Sequence, residues 1–258
     1  MNASFRSTRA HSFNAAAAQY AANRPSYPPA LFDALEDLAG RSLAGARVAD
    51  IGAGTGIATA LLKSRGAHVL AVEPGEGMAA QFRRSVPGVP VLRGDGNALP
   101  LATASIDFLT YAQAWHWTDP ARSVPEALRV LRPGGALALW WNMDAQDVPW
   151  ITAQADRIKR HFGTEHASKS GAGGTRTEVA FAGARDVPAH TRRVVRWNRT
   201  VSVDTHLANV GSHSIFLVRG EEDARAFFAE ERQHLLEVFP NGLVEEVYDV
   251  ELIVATRP

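Results

Sequence analysis

Val48-Ala49-Asp50-Ile51-Gly52-Ala53-Gly54-Thr55-Gly56-Ile57 decides the reading of this chain. A short apolar, β-branched run closes on an acid, three glycines alternate with small residues, and helix-forming residues follow. That order spells strand, tight turn, helix. Glycine is required where the backbone adopts positive φ or comes within contact distance of a ligand. A helix N-terminus adds unsatisfied N–H groups at the same place. The turn is therefore built to hold a flat molecule against its backbone. The glycines fall at 52, 54 and 56, with Ile57 where the dinucleotide fingerprint G-x-G-x-x-G needs its third glycine.

Working outward, Pro28-Pro29 opens a helix carrying Leu31, Phe32, Leu35 and Leu38 on one face, and Gly40 stops it. The first strand covers 47–51, followed by a helix over 55–65. Residues 68–73 form a second strand that ends in Glu73, some twenty residues past the glycine turn, where an acid can hydrogen-bond both ribose hydroxyls of an adenosine. A third strand spans 89–93 and leads into Gly94-Asp95-Gly96-Asn97-Ala98-Leu99-Pro100. The fourth covers 105–111, and Asp119-Pro120 caps the next helix. Leu131-Arg132-Pro133-Gly134-Gly135 reads as a turn into a fifth strand over 136–141. Beyond it, a helix is expected at 149–162, a short helix and loop over 205–218, and a helix at 221–239. Phe227, Phe228, Leu235 and Leu236 face inward in the last of these. Strands are expected around 195–203 and 248–255, with Arg192, Arg193, Arg196 and Arg199 mostly solvated.

G-x-G-x-G with Asp50 two residues ahead resembles motif I of the class I S-adenosylmethionine (SAM) dependent methyltransferases. The turn at 94–100 is similar to that family's G-D-A-x-x-L-P, departing at Gly96 where alanine is usual. Leu131-Arg132-Pro133-Gly134-Gly135 is a further landmark, and the leader Ser12-Phe13…Tyr20…Arg24-Pro25-x-Tyr27-Pro28 resembles that of the type 11 group, in the neighbourhood of trans-aconitate methyltransferase. The resemblance implies an α/β, doubly wound Rossmann-like sheet of about seven strands, mostly parallel, with an antiparallel last hairpin. It implies one domain over 1–258: a cap at 1–45, a SAM-binding core at 46–145, and substrate-side helices and last strands at 146–258. SAM, leaving as S-adenosylhomocysteine, would be held by Tyr20, Arg24, Asp50, Gly52, Ala53, Gly54, Gly56, Glu73, Pro74, Met78, Asp95, Gly96, Asn97 and Gln113. Of these, Tyr20 and Arg24 would cover the sulfonium and pair with the SAM carboxylate, and Asp50 and the glycines would meet the methionyl portion. Met78 would pack on adenine and Asp95 take its amine.

Methyl transfer needs a base only for an acceptor that arrives protonated. His116, whose ordinary pKa lies near neutrality, is the candidate base. Trp115 and Trp117 are expected to wall a flat or apolar substrate, and His213 to line its side. An exposed or packing role is the alternative for each. No Asn/Asp-Pro-Pro-Tyr segment follows the fourth strand, which moves the acceptor toward a small molecule; a carboxylate is plausible, with oxygen, nitrogen and carbon all open. His161, Glu165 and His166 fit no zinc spacing, and no metal is expected.

Composition sets bounds on partners. Lysine plus arginine balances aspartate plus glutamate, 27 against 27, which leaves no polyelectrolyte footprint for nucleic acid or an anionic membrane. The absence of cysteine removes disulfides and thiolate catalysis, and no apolar run reaches a membrane span. A cytoplasmic monomer or homodimer is expected. Two rival readings stand beside the methyltransferase: an NAD(P)-linked oxidoreductase, disfavoured by Ile57 and the later motifs, and a non-catalytic SAM-binding module.

Overall fold

The computed structural model describes residues 23–163, 176–212 and 221–258. Seven strands form one sheet in the order β3-β2-β1-β4-β5-β7-β6. They are β1 Arg47–Ile51, β2 His68–Val72, β3 Val91–Leu92, β4 Ile106–Ala112, β5 Leu131–Asp144, β6 His190–Ser202 and β7 Leu243–Thr256. The pairs β1–β2, β1–β4, β2–β3 and β4–β5 are parallel. Gly134 bonds to Arg257 while Ala145 bonds to Val247, so β7 runs against β5. This is the expected Rossmann-like arrangement with its antiparallel end.

The helices are α1 Pro29–Ala39, α2 Ile57–Ser64, α3 Glu76–Ser85, α4 Pro120–Val130, α5 Pro149–Phe162, α6 Arg176–Ala180, α7 Val203–Gly211 and α8 Glu221–Val238. Proline at its first position starts α1, and Gly40, at φ 59°, turns the chain out of it. Leu31, Phe32 and Leu35 are buried as their spacing requires, each contributing about 1.5–3 kcal/mol of transfer free energy. Asp119 caps α4 by accepting from the Ala121 N–H at 3.1 Å.

The chain divides into two units. Among the described residues, one comprises 26–142, 176–195 and 250–258; the other comprises 23–25, 143–163, 196–212 and 221–249. In the first, β2 and β1 are apolar because they are covered on both faces, and Phe32, Phe82, Phe108, Tyr111 and Trp140 fill the layers. In the second, Phe162, Val210 and Phe227 make one cluster, and Val203, Leu207, Leu235 and Val244 another.

Two expectations change. Leu131–Gly135 is not a turn ahead of β5 but its beginning, because Leu131 pairs with Ile106 and the N–H of Gly134 finds the Arg257 carbonyl at 2.9 Å. Leu236 lies exposed, one position past the inward stripe of α8. The arginines of β6 stay mostly exposed, as expected, Arg199 being the most covered, and each also pairs with an acid: Arg192 with Glu251 at 2.5 Å, Arg193 with Asp37 at 2.7 Å, Arg196 with Asp147 and Asp249 at 2.8 Å, and Arg199 with Glu246 at 2.5 Å. None of the described helices is long and apolar enough to cross a membrane.

Candidate cofactor site at the strand ends

Parallel pairing of β1, β2, β3 and β4 brings their C-terminal ends to one edge of the sheet, where an open α/β sheet forms its ligand crevice. The glycine turn leaves β1 there. Its first two N–H groups, of Gly52 and Ala53, both donate to the carbonyl of Val72 at 2.8 and 3.2 Å, which locks the turn to the end of β2. Gly52, Gly54 and Gly56 have φ of 66°, 59° and 93°, a region that penalises any side chain.

The three glycines serve different ends. A Cβ on Gly52 would lie 2.6 Å from the Cβ of Ala114, and one on Gly56 would lie 2.5 Å from Val86, so both are glycine because protein packs against them. A Cβ on Gly54 would meet nothing within 4 Å. The open face of the turn is therefore the face of Gly54.

Beside it, the Glu73 carboxylate accepts the Gly54 N–H at 2.8 Å through Oε2 and the Gly75 N–H at 2.7 Å through Oε1. Burial pushes its carboxyl above the usual range, against the pull of those two N–H groups and the Arg93 charge. An ionised carboxylate has about four lone-pair sites, so these two bonds leave capacity for two hydroxyl donors. The residues fit an adenosine: an open glycine face, an acid at the tip of β2, and backbone N–H groups between them. Pro74 is exposed next to the acid, with its carbonyl taken by Arg93 at 2.6 Å. Ala53 and Met78 are buried, Met78 on the inner side of α3 with Ala79 and Phe82.

Asp50 lies inward of the turn. It is fully buried, accepting from Thr59 Oγ1 at 2.6 Å and from Thr110 Oγ1 at 3.0 Å. Burial raises its carboxyl to about 6; the two hydroxyls oppose that rise and the nearby Glu73 charge adds to it. Asp50 thus ties β1, α2 and β4 together beneath the glycines. Neither threonine was singled out by the sequence, since a hydroxyl nine or sixty residues away leaves no local signature.

Asp95 is exposed, and its Oδ1 accepts the backbone N–H and the side-chain amide of Asn97, both at 2.9 Å. Asn97 Oδ1 in turn accepts the Asp119 N–H at 2.7 Å, fixing the turn to the start of α4. Gly96 is buried; a Cβ there would come within 3.0 Å of Thr118 and 3.1 Å of Tyr111, whose hydroxyl donates to the Gly96 carbonyl at 3.3 Å. The departure from alanine has this steric cause.

After β4, Gln113 sits at φ 56°, rare for a residue with a side chain, held by its N–H on the Trp140 carbonyl at 2.9 Å and its amide on the Asn142 carbonyl at 3.3 Å. Such strain of about 1–3 kcal/mol gathers at functional positions. Trp115 does not wall a substrate. It is 2% exposed, donates Nε1–H to the Ala180 carbonyl at 2.6 Å and packs edge-on against Tyr111, centroids 4.8 Å apart. An indole with its N–H satisfied is an inexpensive core residue. Trp117 is half-buried, and exposed His116 leans on it at 4.9 Å. His116 Nδ1 accepts from Trp141 Nε1 at 3.3 Å, which leaves the proton of the neutral ring on Nε2. Serving as a base through Nδ1 would require displacing the indole.

Arg24 belongs to the other unit, where its guanidinium donates to the Ser212 carbonyl at 3.5 Å. Tyr20 and His213 lie outside the described residues. A groove of about 430 Å³ lined by Arg47, Lys63, His68 and Val89 opens at the starts of β1 and β2, the opposite ends from the glycine turn.

Residues 49–139 match the methyltransferase-domain family. An uncharacterized methyltransferase of Mycobacterium tuberculosis is 44% identical over 149 residues, 58% of this chain and 59% of the relative. A demethylmenaquinone methyltransferase of Clavibacter sepedonicus is 37% identical over 101 residues, 38% of this chain and 41% of that protein. The chain thus spans about three fifths or less of these curated relatives. Among solved structures, a candidate type II methyltransferase from Anaeromyxobacter dehalogenans has the same fold: TM-score 0.67, 24% identity, covering 90% of this chain and 97% of that one. The glycine turn, the acid of β2, the 94–100 turn and the start of β5 all fall within residues 49–139, the segment that matches the methyltransferase-domain family.

Proposed function

We propose that the chain transfers a methyl group from SAM to a small-molecule acceptor. The observation that carries this reading is the open face of Gly54 beside the Glu73 carboxylate, on a turn whose other glycines are closed by packing. When bound, SAM supplies an electrophilic methyl on a sulfonium. Glu73 would hold the ribose hydroxyls, the N–H groups of 52–56 would line the methionyl side, and the 95–97 turn would receive the adenine. Trp117 and His116 stand at the end of β4 in the same unit, where the half-buried indole limits water and its face suits a cation.

With its Nδ1 engaged by Trp141, His116 is poorly placed to remove a proton through that nitrogen. That favours an acceptor already ionised, such as a carboxylate or phenolate. The demethylmenaquinone relative accords with a small acceptor. A cytoplasmic setting and action as a monomer or homodimer complete the proposal.

The test is incubation with methyl-labelled SAM and fractionated small-molecule pools. Label entering an extractable small molecule, with equimolar adenosylhomocysteine, is the expected outcome. Label confined to macromolecules, or none in any pool, contradicts it.

A further inference from the structure

The starts of β1, β2 and β4, at the edge opposite the glycine turn, line the groove of about 430 Å³ that the cofactor site does not use. Arg47 opens β1 and His68 opens β2, and the two are register partners on neighbouring parallel strands, which lie about 4.8 Å apart. Lys63, in the last turn of α2, reaches the same groove. Its Nζ donates to the Pro87 carbonyl at 3.4 Å, and a Cβ on Gly88 would meet only that Nζ, at 4.0 Å. Val48, Val69, Leu70, Val89 and Ile106 supply the apolar lining, and no acid lines the groove among the described residues.

The charges around it do not cancel. Arg47 pairs with Asp107 at 3.2 Å, and the same carboxylate also takes Arg41 at 3.5 Å and Arg132. Burial would raise the Asp107 carboxyl, but the Arg47 N–H and guanidinium and the Arg132 charge hold it below its ordinary value. One anion is thus shared by three guanidinium groups. Lys63 meets only a neutral carbonyl, and the His68 ring makes no hydrogen bond or ion pair among the described residues. The acids of α1 are engaged elsewhere, Asp33 and Glu36 by Arg65 and Asp37 by Arg193. On a chain whose formal charges balance, this edge holds a surplus of positive charge.

We propose that this groove binds a small phosphate monoester, its phosphate held by Arg47, Lys63 and His68 and its apolar body laid on Val69, Val89 and Ile106. Such a phosphate carries about −1.5 to −2 charge at neutral pH and three strong acceptor oxygens. Arg47 keeps guanidinium N–H groups beyond the one on Asp107, Lys63 has three ammonium donors and His68 a ring N–H. Three acceptors therefore meet three donor groups. A carboxylate would bring one charge and two oxygens to the same set, and an amine would meet like charge. The groove's volume falls in the range of about 300–1,000 Å³ that small-molecule sites occupy. The five residues of β1 separate it from the glycine turn, about 15 Å at the ordinary rise of a strand. The ligand here is thus distinct from the methyl donor and its acceptor, and the inference stands independently of the methyl-transfer reading.

The experiment titrates the full chain with phenyl phosphate, inorganic phosphate, benzoate and benzylamine, followed by the backbone amide resonances of His68, Gly88 and Val89, with Gly54 marking the cofactor edge. Phenyl phosphate is expected to bind best and to shift the first three resonances but not Gly54. Lys63→Gln should weaken it by about tenfold, the scale of one charged hydrogen bond. His68→Ala should weaken it by a smaller factor, and Arg122→Gln, on α4, should leave it unchanged. Lys63 makes one long bond to a carbonyl and the His68 ring none, so both variants should melt like the parent. Inorganic phosphate, benzoate or benzylamine binding as tightly as phenyl phosphate overturns the site, as does unaltered affinity in either variant or a shift confined to Gly54. Phosphatidylcholine vesicles containing phosphatidate present the same phosphate monoester as a lipid head. No co-sedimentation is expected, and retention of the chain on them overturns the small-molecule assignment.

Discussion

Asp50 and Glu246 are both buried carboxylates, and the two units hold them in opposite ways. Asp50, beneath the glycine turn, is held by two threonine hydroxyls and rises to about 6. Glu246 would also be raised by burial, but His206 and Arg199 overcome that and bring it down to about 2. Neutral donors leave the acid beneath the turn without a compensating charge. Opposite charges make the other acid a fixed anion on which its partners depend. Beneath the ligand-facing turn the protein tolerates an uncompensated acid; in the second unit charge has been made structural.

The largest effect should follow from breaking the fixed anion. Glu246→Ala leaves Arg199 and His206 facing each other without it, and removal of one partner from a buried pair costs about 3–5 kcal/mol. Chemical denaturation of the two proteins measures this; a loss below 1 kcal/mol would erase the contrast.

The pH dependence comes next, and its sign separates the two acids. Folded Asp50 keeps its proton to about pH 6, while an unfolded aspartate loses it near 3.8. Its contribution to stability therefore declines as pH rises from about 4 to about 6, by about 3 kcal/mol in all at 1.4 kcal/mol per unit. Glu246 behaves oppositely: its stabilisation is complete above 4.5 and is lost as pH falls toward about 2. Thermal melts of Asp50→Asn from pH 4 to 7 should lack the decline seen in the parent. Parallel profiles for the two proteins would show that Asp50 is ionised throughout.

The smallest effect sharpens the comparison within the turn. Gly54→Ala meets open space and bears only the left-handed backbone penalty of about 1–2 kcal/mol. Gly52→Ala adds contact with Ala114 and should lose more stability. Adenosylhomocysteine affinity should nevertheless fall in Gly54→Ala, because the added methyl enters the open face. Equal melting temperatures for the two variants would contradict that assignment.

The same division explains what the sequence shows. The glycine turn, the acid of β2 and the caps of α1 and α4 are local patterns, in which each residue is interpreted by neighbours within a few positions. The beginning of β5 is not local, since Gly134 reads as a turn until Arg257 supplies its partner. That the solvated arginines of β6 are also ion-paired is not legible, because their acids lie roughly fifty residues away in most cases, on β7. Trp115 reads as a substrate wall because nothing near it reveals Ala180 waiting for its N–H. Spacing reports backbone geometry well; it reports side-chain direction poorly wherever the partner is distant.

Everything attributed to the strand-end crevice depends on an adenosyl group lying over Gly54 with its sugar on Glu73. Calorimetric titration of the parent and of Glu73→Ala with adenosylhomocysteine and with NADH tests this directly. The parent should bind adenosylhomocysteine and not NADH, and Glu73→Ala should lose that binding. NADH binding by the parent, or adenosylhomocysteine affinity unaltered by Glu73→Ala, would contradict the account.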